Sequence, residues 1–316
     1  MNGPVVTVTL NPAIDQTISL DELHHGEVNI ARQVTLNAGG KGVNVAGCLA
    51  DWGTPVLATG ILGRDNATPF EALFAEKGIG NRFVQQPGTT RINIKVVSDN
   101  DGATTDINLP GQTVEASTYA QLIEHLDDLS EADRFIVLAG SLPKGLDDSC
   151  YAHLIARLNQ QGARVFLDTS GAPLEKALAG PFFPFCIKPN RHELEQWAGH
   201  SLPSLDDVIK TARALHKQGI RQVVVSLAEQ GALFVGKEGT WLAAPPPIKP
   251  ISSVGAGDAL LAGWLAAQHQ GRDWQRSICL AMAFAAGKLA KIGPHLPARI
   301  EVEHLAGEVT LSRLEH

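Results

Sequence analysis

The chain has 316 residues, 44% of them hydrophobic, enough to enclose a large core. A formal net charge of −7, with no long basic run to offset it, argues against a nucleic-acid or membrane-surface partner. No apolar run is long enough to span a bilayer, and the opening MNGPVVTVTLNP has the pattern of a strand rather than of a secretory leader.

In chain order, VVTVTL (5–10) is the first expected strand. The segment 13–36 then alternates, setting Asp15, Thr17 and Ser19 opposite Ile14, Ile18 and Leu20. A helix is expected over 41–53, where Val45, Leu49 and Trp52 share one face. A strand over 56–62 and a helix over 68–79 follow. The segment 88–110 alternates again, with Ile92, Ile94 and Val96 on one side and Arg91, Asn93 and Lys95 on the other. Beyond it the pattern gives a helix over 117–129, strands over 134–140, 163–168, 185–188 and 221–227, and helices over 148–162 and 205–219. AAPPPIKP (243–250) is a stiff extended connection. Continuous apolar strands joined by helical crossovers predict an α/β fold with a mostly parallel sheet covered on both faces. Ligands of such sheets sit beyond the carboxyl ends of the strands. The alternating segments 13–36 and 88–110 predict a small β lid with its polar face toward a polar ligand. Its apolar face needs a cover, which a second subunit supplies. The four cysteines, Cys48, Cys150, Cys186 and Cys279, lie far apart with no metal or CxxC spacing, as expected of buried thiols in the cytoplasm.

Four segments carry chemistry. In VGAGDALLAG (254–263) an apolar helix starts just after Gly255, so the N–H groups of Ala256, Gly257 and Asp258 sit at its positive end, a site for phosphate or a developing anion. Asp258 fits a proton-accepting base, and it equally fits an ordinary first-turn acid. NAGGKGVNVA (37–46) lacks the Walker spacing; Gly39 and Gly40 permit close backbone approach, Lys41 adds charge, and Asn44 can both donate and accept hydrogen bonds. In KPNRHELE (188–195), Asn190 and Glu193 have the spacing of a capping box, with a water-coordinated Mg²⁺ as the alternative use of Glu193. VVVSLAEQGALFV (223–235) reads as a hairpin with Ser226 at a strand end and Gly231 in the turn.

In this order the segments TLNPAID, GGKGVNVA, GSLP, KPNRHELE, SLAEQGA and VGAGDALLAG resemble the ribokinase-like (PfkB) carbohydrate kinase family over nearly the whole chain. The resemblance implies a single unit over 1–316: a three-layer αβα sandwich with a β lid, often dimeric through that lid. It implies ATP-dependent phosphorylation of a phosphorylated ketohexose: D-fructose 1-phosphate to fructose 1,6-bisphosphate, with tagatose 6-phosphate and fructose 6-phosphate as alternatives. It makes Asp258 the base and Gly255, Ala256 and Gly257 the anion hole. Asp15, Gly39, Gly40, Asn44, Asn93 and Ser141 would bind the sugar, and Lys41 and Arg91 its phosphate. Lys188, Asn190, Ser226, Ala228, Gly231 and Val254 would bind ATP, and Glu193 with Asn190 would hold Mg²⁺ through water. The stretch 279–290 would close the adenine pocket. Two cations at the acceptor site also imply that an unphosphorylated sugar would leave them without a partner. One departure stands out: Ala228 occupies a turn position where the family has glycine, and its methyl strains the backbone if a positive φ is required there. A catalytically silent sugar-phosphate sensor is the reading from a different class.

Overall fold

Strands that are apolar at every position must be covered on both sides, and helices supply that cover. The computed structural model describes residues 3–100, 102–250, 255–291, 293 and 295–315. In chain order its strands are Val5–Thr9 (β1), Ala13–Leu20 (β2), Gln33–Gly39 (β3), Val56–Gly63 (β4), Gly80–Asn81 (β5), Val84–Gln86 (β6), Arg91–Ser98 (β7), Thr104–Ile107 (β8), Phe135–Ala139 (β9), Arg164–Asp168 (β10), Cys186–Ile187 (β11), Gln222–Ser226 (β12), Ala232–Gly236 (β13), Gly239–Ala244 (β14) and Thr310–Leu314 (β15). Its α-helices are Lys41–Asp51 (α1), Thr68–Lys77 (α2), Ala116–Leu129 (α3), Cys150–Gln160 (α4), Ala172–Ala179 (α5), Arg191–Ala198 (α6), Leu205–Gln218 (α7), Ala256–His269 (α8), Trp274–Leu289 (α9) and Arg299–Gly307 (α10).

The main sheet runs β15-β14-β13-β12-β11-β10-β9-β1-β4-β5, with β6 beside β4. From β12 to β5 the pairs are parallel, and β13, β14 and β15 add antiparallel strands at one edge. β1, β9 and β13 are buried throughout. Successive side chains serve opposite layers. Val5, Val137, Phe166 and Phe234 pack with α1, α2, α8, α9 and α10 through Leu49, Phe70, Trp264, Phe284 and Val302. Val6, Ile136, Leu138 and Val165 pack with α3 to α7 through Leu126, Leu154, Leu178, Leu194 and Leu215. These are the three layers of a ribokinase-like α/β fold. The sequence pattern located most elements to within two residues at either end. It had no helix or strand reading for β5, β6, α5, β14, α9, α10 or β15.

A separate four-stranded sheet, ordered β3-β2-β7-β8, comes from the two segments with clean alternation. The register puts Asp15 between Asn37 and Asn93 on one face, and pairs Ile18 with Val34 and Val96 on the other. On that apolar face Val34, Leu36 and Ile107 are about half exposed.

In the main sheet β1, β9, β10, β11 and β12 lie side by side, and the chain leaving or ending each strand presents one polar group: Asn11, Ser141, Asp168, Lys188 and Ser226 in turn. At the usual strand spacing this row spans roughly 19 Å.

Candidate active site

Asp258 occupies the first turn of α8 and is only 8% exposed. Gly255 precedes the helix with φ +78°, a conformation open to glycine, and, having no side chain, leaves the backbone N–H groups of the first turn without a capping bond from it. The Asp258 carboxylate is buried and bonds outside its own helix. Its Oδ2 accepts a 2.8 Å hydrogen bond from Asn44 Nδ2 on α1. Gly40, at φ +111°, lets the lid strand β3 turn directly into α1, which carries both Lys41 and Asn44 into the site.

Lys41 Nζ lies 2.9 Å from Asp168 Oδ1 and 4.0 Å from Glu193 Oε1. Lys188, itself 4% exposed, places its Nζ 3.3 Å from the other oxygen of Asp168. Asp168 thus bridges two lysines that the sequence had given to different ligands. Burial opposes its ionisation, but Lys188 and Lys41 outweigh that and hold its carboxyl below the usual range. Burial also pulls on Lys41, yet the Asp168 carboxylate raises it overall. Asp258 moves the other way: burial first, then the charge of Asp168, push it up to about 6, against the Asn44 hydrogen bond and the two lysines.

Asn190 and Glu193 form the reciprocal capping box that their spacing predicted, at 2.8 Å in both directions. Glu193 keeps its second oxygen toward Lys41, so the cap leaves it available to the site. A cavity of about 1050 Å³ opens beside the α8 N-terminus. Asn190, Ser226, Ala228, Gly231, Ala256 and Gly257 line it, as do Met282, Ala285, Ala286 and Leu289 of α9. The stretch 279–290 therefore borders this cavity, as does the proline segment 245–247, which the sequence had read only as a connection. Ala228 has φ +52°, so the strained backbone that its methyl implied is present.

On the small sheet, Asn93 Nδ2 donates to Asp15 Oδ1 at 3.1 Å, and Gly39 leaves room for that carboxylate; a Cβ there would lie 2.4 Å from Asp15 Oδ2. Burial raises the pKa of Asp15, against the Asn93 bond. Ser141 accepts a 3.1 Å bond from Asn11 Nδ2. The Arg91 guanidinium donates to the carbonyls of Asn11, Pro12 and Leu109 at 3.0, 3.3 and 3.3 Å. With Lys41 on Asp168, both cations assigned to a sugar phosphate have protein partners, so the argument that they require a phosphorylated acceptor is corrected. Val254 lies outside the described residues. The principal residue missed is Asp168. An acid ending the apolar run ARVFLD, at the sheet edge where ligands bind, was the available signal. Asn11 gave none.

A carboxylate poised near neutrality, an uncapped helix N-terminus beside a cavity and two lysines at one acid suit transfer of an anionic group to a hydroxyl. On this fold they define an ATP-dependent sugar phosphotransferase. Residues 8–300 match the family described as pfkB family carbohydrate kinase, and the chain belongs to that family. Among its relatives, a protein of Xanthomonas campestris named 1-phosphofructokinase is 48% identical over 92% of this chain and 92% of its own. One of that name from Escherichia coli K12 is 38% identical over 98% and 99%. The crystal structure of phosphofructokinase-2 from Escherichia coli in complex with potassium superposes with a TM-score of 0.90 at 27% identity, covering 96% of this chain and 98% of that one.

Proposed function

We propose that this kinase phosphorylates D-fructose 1-phosphate at its C6 hydroxyl, giving fructose 1,6-bisphosphate and ADP. The observation that carries the reading is Asp258, raised toward neutral pH and held by Asn44 at the head of α8. The C6 oxygen attacks the γ-phosphorus of ATP, its proton passes to Asp258, and the bond from the γ-phosphorus to the bridging oxygen of ADP breaks. Amides at the α8 N-terminus and Lys188 offset the charge on the group in transit. Asp15, Asn93, Asn44 and Ser141 orient the sugar; ATP takes the cavity lined by Ser226, Gly231 and α9. Lys41 and Arg91 are assigned to the sugar's own phosphate, Lys41 through the donors that Asp168 leaves open and Arg91 by exchanging backbone carbonyls for it. Closure of the lid excludes water from the transfer.

The donor set fits magnesium: Glu193 presents a hard oxygen at the site, and no group of three acids, histidines or cysteines among the described residues forms a dedicated cage. Glu193 with Asn190 would hold the ion through water, and the ion would supply neutralising charge for the ATP phosphates. The relatives' names support the 1-phosphate as acceptor. The half-exposed apolar lid face supports a homodimer through the lid, and four cysteines without disulfides support the cytoplasm. Steady-state assays with MgATP test the acceptor. Fructose 1-phosphate should exceed fructose 6-phosphate, tagatose 6-phosphate and fructose in kcat/KM by at least about tenfold; a higher value for any of the three refutes the assignment.

A further inference from the structure

Lys95 is a cation on the polar face of the small sheet that the mechanism above does not use. The strand register orders that face in rows. Arg91, Ala13 and Gly39 form the row nearest α1, Asn93, Asp15 and Asn37 the next, and Asp106, Lys95, Thr17 and Thr35 the one beyond. Rows two residues apart on a strand are separated by roughly 7 Å, so the Asp15–Asn93 pair lies between two cations. The middle row has an unmet hydrogen-bond capacity: Asn93 Oδ1 is buried and accepts no hydrogen bond among the described residues. Burial raises the Asp15 carboxyl, and of the two cations that oppose it Lys95 weighs more than Arg91. Lys95 therefore acts on the same side of the sheet as the group assigned to the sugar.

The cations of this region are held unequally. Lys41 sits on the buried Asp168, and Arg91 on three backbone carbonyls. Lys95 pairs with Asp106 of β8 at 3.0 Å, and half of the Asp106 side chain is exposed. An ion pair open to water is worth little, so exchanging that partner for a phosphate costs Lys95 the least of the three. Asn44, which holds Asp258, is on α1, so the rows lead away from the base. In fructose 1-phosphate the C6 hydroxyl and the phosphate are at opposite ends of the sugar. With C6 at Asp258 and other hydroxyls on the Asp15–Asn93 row, the phosphate falls toward the row beyond. We propose that Lys95 binds the phosphate that the sugar already carries, as a third cation beside Lys41 and Arg91, and sets the preference for a sugar phosphate over the free ketose. Asp106 holds the ammonium in place until the ligand arrives. This deepens the reading of fructose 1-phosphate as acceptor and rests on it.

The test measures kcat and KM for fructose 1-phosphate and for fructose at saturating MgATP, with folding checked by circular dichroism. It compares wild type, Lys95→Ala, Lys95→Arg and Asp106→Ala. Lys95→Ala should raise KM for fructose 1-phosphate about tenfold to a hundredfold with kcat little changed, the loss expected of one charge-assisted hydrogen bond. Its kcat/KM for fructose should stay within about twofold of wild type. Lys95→Arg keeps the charge and should recover most of the lost affinity. Asp106→Ala breaks the same cross-strand pair but leaves the cation, so it should not raise KM; a purely structural pair would make both alanine variants equally damaging. An unchanged KM in folded Lys95→Ala overturns the proposal, as does an equal rise in Asp106→Ala or an equal loss with fructose. Should Lys95→Ala fail to fold, Lys95→Gln, which keeps the stem and a donor for Asp106 without the charge, is judged by the same criteria. A wild type that prefers another acceptor removes the fructose 1-phosphate reading and this inference with it. A wild type that prefers fructose 1-phosphate while the Lys95 variants keep its KM removes only the inference.

Discussion

The hydrogen bond from Asn44 to Asp258 makes the acid side of the pH profile a direct readout of the site. Asp258 works as a base only when ionised, and with its carboxyl at about 6 the ionised share falls roughly tenfold for each pH unit below that. In the free enzyme, kcat/KM should therefore fall on the acid side with an apparent pKa near 6. The 2.8 Å bond from Asn44 favours the charged form. A hydrogen bond to a charged group is worth about 1.5–3 kcal/mol, or about one to two pKa units at 1.36 kcal/mol per unit. Asn44→Ala admits water in place of the amide, so the lower figure applies: the limb should move up by about one unit. The level of kcat/KM also drops where Asn44 binds sugar, but lost binding alone leaves the position of the limb unchanged. Asp168→Asn should shift the limb the opposite way, because it removes a negative neighbour and leaves Lys41 and Lys188 beside Asp258. A profile of kcat/KM against pH for the three proteins checks both. An acid limb that stays put in both variants, or moves the same way in both, refutes Asp258 as the titrating base.

The turn at Ala228 predicts a gain of stability. A non-glycine residue in the left-handed region costs about 1–2 kcal/mol, and glycine returns about 0.4–1 of that through unfolded-chain entropy, so Ala228→Gly should stabilise by up to about 1 kcal/mol in urea unfolding; destabilisation of that size would mean the methyl packs favourably instead. The lid predicts a dimer in sedimentation velocity, and Leu36→Asp, on its exposed apolar face, should raise the dimer dissociation constant at least about tenfold, about 1.4 kcal/mol. A wild-type monomer at assay concentration would remove the lid as an interface.

The sequence made legible what is local. Apolar runs gave the parallel strands, clean alternation gave the separate four-stranded sheet, and the Asn190–Glu193 spacing gave the capping box. Asp258 could be placed at a helix start because glycine and an apolar period flank it on either side. What stayed hidden depends on residues brought together from afar. The partners of Lys41 and Lys188 cannot be read from AGGKG or KPN, since both meet at an acid 127 residues from the first lysine. Lys95 falls on the polar side of RINIKVV by alternation, but its partner Asp106 is fixed only by the register of β8 on β7.

Asp168 shows why these long-range contacts matter to the chemistry. Two lysines gathered at one place, Lys41 from the start of α1 and Lys188 from the end of β11, would repel each other, and breaking a buried pair costs about 3–5 kcal/mol. One carboxylate between them removes that problem before any ligand arrives. It accepts a hydrogen bond from Lys41 and lies 3.3 Å from the Lys188 ammonium, and a lysine has three donors, so each retains capacity for a phosphate oxygen. The same negative charge raises Asp258 toward the pH at which it can take up a proton. Anchoring the cations and tuning the base are therefore one electrostatic arrangement: an acid at the end of β10 fixes the positions of the first and the affinity of the second.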